Sequence, residues 1–288
     1  MRPKDPESTL GFLFSCYGGI RNPFDYQTVE AGADEYVLPP LWNTGSQKIT
    51  WDLNLPTNIA DGWSWGSNYR FIGQCLLFLQ QLPHARGVTD EQKRAWAAEA
   101  NFLLAYYHMV TLVAYGPCPI TDTYIDQATP ESEYNGRMHF DYVKDWICQK
   151  FDEVCEDGQL PATRTGDEWG RATSVMAKAL KARLLVYAAS PLFNGSFPYK
   201  DWENTNFETP GYGKELISLK YDRKKWEVAK AACQEAITAA EAAGHKLFSL
   251  EDAQSLYQQA GLPSRLFLSK AQKAEQPTRT KSSWNAYS

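Results

Sequence analysis

One alanine-rich segment constrains the fold of this chain more than any other. From Ala177 it reads AKALKARLLVYAA, in which small residues recur among large apolar ones until Ser190-Pro191 ends the pattern. Small side chains at this density let a neighbouring helix approach closely. The sequence therefore predicts a helix from Gly170 to Ala189 that is packed on several sides.

Helical periodicity recurs on both sides of this segment. The other predicted helices span residues 1–20, 65–82, 92–115, 138–156, 222–243 and 250–259. Two neighbouring pairs, 92–115 with 138–156 and 171–189 with 222–243, are typical of stacked helical hairpins. The predicted fold class is therefore all-α, with tetratricopeptide-like hairpins and long irregular loops. One helical domain is expected over residues 1–260, followed by a poorly ordered tail at 261–288.

Composition argues against several classes of protein. The net charge of -5 lacks the basic excess that a nucleic-acid surface needs. No run of about 18 apolar residues occurs, so no membrane-spanning helix is predicted. The six cysteines form no C-x-x-C pair, so neither a zinc site nor a disulfide framework is expected, while one or two disulfides stay open. No cofactor and no metal are predicted.

Catalysis finds little support in the sequence. No nucleophile-elbow, zinc-protease, phosphate-loop or dinucleotide motif occurs. Glu131 with Glu133, or Asp152 with Glu153, would be the carboxylate pairs of a glycosidase, but such a pair must face a sugar from two sides. Adjacent acids on one surface do not, so the chain is predicted not to be an enzyme. His108 is expected to be a hydrogen-bonded core residue rather than a base.

Aromatic residues in irregular segments point to a sugar-binding surface. They make up 14% of the chain, and most of the 10 tryptophans lie outside the predicted helices. Aromatic rings can stack on sugar rings, and neighbouring amide and hydroxyl groups can hydrogen-bond to sugar hydroxyls. The alternative interpretation is that long loops need aromatic clusters of their own in order to fold. The predicted ligand residues are Trp63, Trp65 and Asn68, which lie together just before a helix, with Trp42 and Asp34 as further candidates.

Three motifs follow one another along the chain. The first is EANFLLAYY at Glu99–Tyr107, and the second is GRAT at Gly170–Thr173 with the alanine-rich segment that follows it. The third is Tyr221-Asp222 with Trp226 and the alanines after it. Together, in this order, they resemble the SusD/RagB family, the surface glycan-binding lipoproteins of Gram-negative outer membranes.

The resemblance implies a tetratricopeptide-like core without catalytic activity. It implies capture of an oligosaccharide or polysaccharide at the surface of the outer membrane and transfer to a SusC-like TonB-dependent transporter. The family is held there by a lipid anchor, whereas neither a signal peptide nor an anchor is predicted from this sequence. Because family members are considerably longer, the chain is expected to be truncated, with the C-terminal half of the family fold missing.

Individual motif residues are expected to serve the scaffold. Arg171, Lys181 and Arg183 are predicted to bind helix ends or acidic partners within it. The sequence departs from the family at Leu104, where the family often has Arg, and at Cys75, where it often has Asn.

The helical hairpins alone also fit a second function, that of a helical-repeat adaptor that binds another protein. Partner binding that survives Trp63→Ala and Trp65→Ala, with no affinity for sugar, would favour the adaptor. Release of reducing sugar that depends on a carboxylate would instead favour a glycosidase.

Overall fold

The structure is a computed structural model of the chain, and it describes residues 5–20, 65–126 and 128–259. These residues contain seven α-helices and no strand, so the all-α fold class predicted from the sequence is confirmed. The helices are α1 (Pro6–Tyr17), α2 (Trp65–Gln81), α3 (Asp90–Tyr115), α4 (Phe140–Glu153), α5 (Ser174–Ala189), α6 (Arg223–Ala242) and α7 (Leu250–Gln259).

The chain divides into two units. The first ends at Ala243 and contains α1 to α6, and the second begins at Gly244 and contains α7. The predicted boundary near residue 260 and the tail at 261–288 lie at or beyond the edge of the described residues, so both stay predictions.

Helix α3 is the centre of the first unit. It packs against α1, α2, α4 and α5, and it buries side chains on all of its faces, among them Trp96, Phe102, Leu103 and Leu112. Removing this much apolar surface from water is the main term that offsets the entropy of ordering the chain. Helix α4 packs on α3, and α6 packs on α5. The two predicted hairpins are therefore confirmed.

Side-chain caps define where the main helices begin. Thr89 and Gln92 form a capping box at the start of α3, in which Thr89 Oγ1 accepts from the N–H of Gln92 at 3.1 Å. Asp222 caps α6 by accepting from the N–H of Lys224 at 2.8 Å. At its other end α3 stops at Gly116, whose φ of +70° is one that other residues rarely adopt.

Helix α5 begins later than the sequence predicts. It starts after Thr173, whose hydroxyl caps it by accepting from the N–H of Met176 at 3.2 Å. Gly170 has a φ of +92°, which is incompatible with an α-helix. The prediction that the helix includes Gly170 is therefore wrong. The Gly170–Thr173 motif is an entry turn, and Arg171 within it reaches a residue of α3.

Alanines bring α5 and α6 close together. Ala229, Ala232 and Ala236 are the buried residues of α6, the helix that packs against α5. Trp226, in contrast, is 42% exposed. The close packing predicted from the alanine density is therefore confirmed, and small side chains produce it.

The described part of the chain contains neither a disulfide bond nor a membrane-spanning helix. All six cysteines are free thiols there, so the disulfides left open by the sequence do not form. No helix within residues 5–20, 65–126 and 128–259 has the length and apolar character needed to cross a membrane.

Candidate functional site

The first two sequence motifs meet at a buried carboxylate, Glu99 of α3, whose side chain is fully buried. Arg171 donates from Nε to Glu99 Oε2 at 3.0 Å, and Arg164 donates from Nη2 to Oε1 at 3.0 Å. The hydroxyl of Tyr17 on α1 donates to Oε2 at 2.6 Å. We refer to these four residues as the Glu99 cluster. It joins α1, α3 and the entry turn of α5.

The Glu99 cluster is well satisfied, which identifies it as part of the scaffold. The Tyr17 oxygen also accepts from the N–H of Ala172 at 3.0 Å. Burial, together with the Glu99 charge, raises the pKa of Tyr17. A buried carboxylate with two guanidinium partners and a hydroxyl donor has no free acceptor to offer a ligand. The predicted scaffold role of Arg171 is thus confirmed.

The other two charged residues of the second motif differ from each other. Lys181 contacts the acidic side chain of Asp152 on α4, with Nζ at 2.7 Å from both carboxylate oxygens. Its predicted scaffold role is confirmed as well. Arg183 is exposed on α5, and its predicted partner stays a prediction.

A cavity of about 800 Å³ lies at the start of α2. We call it the Trp65 cavity. Its described lining comes from one face of α2 and from the loop between α3 and α4, and consists of Trp65, Tyr69, Gly73, Leu76, residues 119–126, Thr129 and residues 133–135. A volume in this range accommodates a short oligosaccharide or another small ligand.

The Trp65 ring is held in place from three sides. Tyr69 lies 5.0 Å away between ring centroids, and Tyr115 packs edge-on at 5.3 Å. The guanidinium of Arg137 lies 4.8 Å from the Trp65 ring centroid, within the range of a cation–π contact. The backbone N–H of Trp65 donates a hydrogen bond to the hydroxyl of Tyr115 at 3.0 Å. A ring fixed in this way loses little freedom when it binds a ligand.

The loop that forms the other wall is attached to α3 by His108. This fully buried side chain accepts from the N–H of Thr121 through Nε2 at 3.1 Å, and its Nδ1 lies 2.8 Å from the carbonyl oxygen of Leu104. The Tyr69 hydroxyl donates to the carbonyl of Pro119 at 2.8 Å, and Asn135 Nδ2 donates to that of Ile120 at 3.0 Å. The position of the loop therefore depends on polar contacts that are partly buried.

The role of His108 as a core residue is confirmed by its burial, which also predicts a pH effect. Burial lowers the pKa of His108 to about 4, so the ring is neutral in the folded chain.

We expect the free energy of unfolding to decrease as the pH falls from about 6.5 to about 4, because only the unfolded chain takes up a proton at His108 over that interval. This difference between the pKa of His108 in the unfolded and folded chain corresponds to a contribution of about 3 kcal/mol. Urea unfolding at pH 7 and pH 4.5 measures the change. His108→Gln should lose less stability on acidification than the parent chain, and an equal loss in both would contradict this role.

The Trp65 cavity combines aromatic and acidic side chains. Tyr134 is 47% exposed at its rim. Asp122, Asp126 and Glu133 are exposed carboxylates in the same lining. Rings of this kind stack on the C–H faces of sugars, and carboxylate oxygens accept hydrogen bonds from sugar hydroxyls.

The predicted ligand residues have different positions. Trp65 lines the cavity. Asn68 is buried behind it, and its Nδ2 donates to Thr111 Oγ1 of α3 at 3.2 Å, a contact that joins α2 to α3. Trp63, Trp42 and Asp34 lie outside the described residues. Contact of each of these five residues with a ligand stays a prediction.

Sequence reasoning missed Tyr69 and the loop over residues 119–135. Tyr69 lies four residues after Trp65, so the two share one face of α2, and this spacing was the available signal. The loop offered no comparable signal, because its place beside α2 depends on His108, which lies in another element.

The carboxylates considered for a glycosidase do not form a facing pair in the described residues. Asp152 is bound to Lys181, and Glu153 Oε2 lies 2.8 Å from Lys150 Nζ on the same helix. Glu131 and Glu133 are exposed in one short turn. Within the described ranges no group of three His, Cys, Asp or Glu side chains is placed to hold a metal ion.

Comparison with known proteins supports the fold. No protein-family model and no curated protein matches the chain. The solved structure of BT4246 is 51% identical over 90% of this chain, with a TM-score of 0.81. A SusD-like protein (BF3747) from Bacteroides fragilis is 19% identical over 88% of the chain, with a TM-score of 0.64. A laminarin binding SusD-like protein is 22% identical over 65%, with a TM-score of 0.56.

The chain is therefore a SusD-like protein in its fold, and the family recognised from the three motifs is confirmed. It spans 43% of the length of BT4246, and 41% of the length of each of the other two chains.

Proposed function

We propose that this chain is a non-catalytic glycan-binding protein of the cell surface, with the Trp65 cavity as its sugar-binding site. The observation that carries the proposal is the fixed Trp65 ring beside exposed hydrogen-bonding side chains. Trp65 and Tyr134 provide surfaces for sugar rings, while Asp122 and Asp126 provide acceptors for hydroxyls.

The similar structures support the same kind of ligand. Their names include a laminarin binding SusD-like protein and a surface glycan-binding protein A from Bacteroides thetaiotaomicron in complex with laminarihexaose. These chains are 22% and 19% identical to this one, so the shared property is the fold. For the present chain, the glycan ligand is inferred from the Trp65 cavity together with that fold.

The proposal includes a partner and a location. As in the family that the motifs resemble, the protein would stand on the outer membrane and pass its oligosaccharide to a SusC-like TonB-dependent transporter. Its own part is capture: the scaffold of α1 to α6 holds the cavity, and the ligand leaves it chemically unchanged.

Isothermal titration of the chain with neutral oligosaccharides, laminarihexaose among them, tests the proposed function. Binding of at least one, without release of reducing sugar, is the expected result. Co-purification of a TonB-dependent transporter with the tagged chain from outer membranes tests the hand-over. Capture of a protein partner by a chain that binds no sugar would contradict the proposal and favour the adaptor.

A further inference from the structure

We propose that the Trp65 cavity selects glycans by charge, and that its ligands are neutral or amino-bearing oligosaccharides rather than glycans with uronate or sulfate groups. The inference rests on the proposed function and adds the substrate class. It is based on three exposed carboxylates that line the same cavity: Asp122, Asp126 and Glu133. Carboxylate side chains carry the negative charge on which the proposed selection depends.

No basic residue balances these charges in the described lining. None of the three carboxylates has a lysine or arginine within salt-bridge distance in the described part of the chain, and no lysine or arginine lines the cavity there. Asp126 Oδ1 accepts from the N–H of Ala128 at 2.9 Å, which fixes the carboxylate without neutralising it.

Among the described residues, Arg137 contacts the wall of the cavity through Trp65. Its guanidinium covers the Trp65 ring, and its Nη1 donates to the carbonyl of Pro117 at 2.5 Å. These contacts direct its hydrogen bonds to the protein rather than to a ligand, and its single positive charge offsets only part of the charge of the three carboxylates.

The three carboxylates also differ from a metal site. No metal-binding group of His, Cys, Asp and Glu exists among the described residues. Their exposure places their charge in reach of whatever enters the cavity. An anionic group about 7 Å from one carboxylate in water binds about threefold more weakly than a neutral group, and the effect of three carboxylates multiplies. Salt reduces the effect, because the Debye length is about 8 Å at physiological ionic strength.

A series of hexasaccharides that share a backbone and differ in charge tests this inference. Chitohexaose is neutral, its de-N-acetylated form is cationic, and its C6-carboxylated form is anionic; laminarihexaose and its C6-carboxylated form are a second pair. We expect the anionic form to bind at least about tenfold more weakly than the neutral form at 20 mM salt by calorimetry. The ratio should shrink at 300 mM salt.

Two variants separate local charge from net charge. Asp122→Asn/Asp126→Asn/Glu133→Gln keeps an oxygen acceptor at each position and should remove most of the discrimination, measured as the ratio of the affinities of this same variant for the neutral and anionic forms. The control variant, Asp167→Asn/Glu227→Gln/Glu241→Gln, changes net charge equally at exposed positions outside the cavity and should keep the discrimination.

The outcomes distinguish the two proposals. Anionic forms that bind as tightly as their neutral partners at 20 mM salt would overturn the charge selection and leave the proposed function intact. Discrimination that is lost equally in both variants would also overturn it, because net charge would then be the cause. If no hexasaccharide of either series binds, the proposed function fails and the inference fails with it.

Discussion

Replacing Glu99 with alanine is expected to lower the free energy of unfolding by about 3–5 kcal/mol. The substitution leaves the largely buried guanidinium groups of Arg164 and Arg171 with only the half-exposed carboxylate of Glu168, and it removes the acceptor of the Tyr17 hydroxyl. Breaking a buried ion pair by removing one partner costs far more than losing a surface pair. Urea unfolding monitored by circular dichroism measures the change.

Glu168 provides the matched control, because it contacts the same two arginines from the surface. Its carboxylate lies 3.1 Å from Arg164 Nη1, and its side chain is 54% exposed. Glu168→Ala should therefore cost less than about 1 kcal/mol. A loss for Glu99→Ala as small as that for Glu168→Ala would contradict the structural role of the Glu99 cluster.

Replacing Trp65 with alanine is expected to weaken glycan binding by about 30-fold or more, in line with the loss of a buried aromatic contact at the centre of an interface. The substitution removes the ring that Tyr69, Tyr115 and Arg137 hold in the cavity. It keeps the backbone N–H that donates to Tyr115, so the start of α2 retains its contact with α3. Calorimetry with the tightest-binding neutral oligosaccharide measures the loss.

Two further variants sharpen this test. Trp65→Phe keeps a smaller ring and should give an intermediate affinity. Trp169→Ala removes a tryptophan that is 82% exposed and lies outside the Trp65 cavity, so its affinity should match that of the parent chain. Equal losses for Trp65→Ala and Trp169→Ala would show that the cavity has no special role.

The scaffold was largely predictable from the sequence because its signals are local. Alanine spacing, apolar periodicity and capping residues such as Thr89 all act within a few residues of one another. The start of α5 was misplaced because Gly170-Arg171 looks continuous with the helix. These residues instead form a turn that lets Arg171 pair with Glu99, which lies far away in the sequence.

The cavity was only partly predictable. Trp65 was found because an aromatic residue at the junction of loop and helix is a local signal. Asn68, Ile72 and Cys75 have i, i+4 and i+7 spacing, so they lie on one face of α2. That face is buried, so the spacing already indicated that Asn68 is a buried residue. The acidic loop with Asp122 is placed in part by a hydrogen bond from Thr121 to His108 of another helix, and no local pattern encodes such a contact.

The most direct test of the account is a crystal structure of the chain with its tightest-binding neutral oligosaccharide. We predict a sugar ring stacked on the face of Trp65, about 4 Å from it, with hydroxyls within hydrogen-bond distance of Asp122, Asp126 or Glu133. An oligosaccharide bound elsewhere, with the Trp65 cavity unoccupied at saturating ligand, would contradict the account.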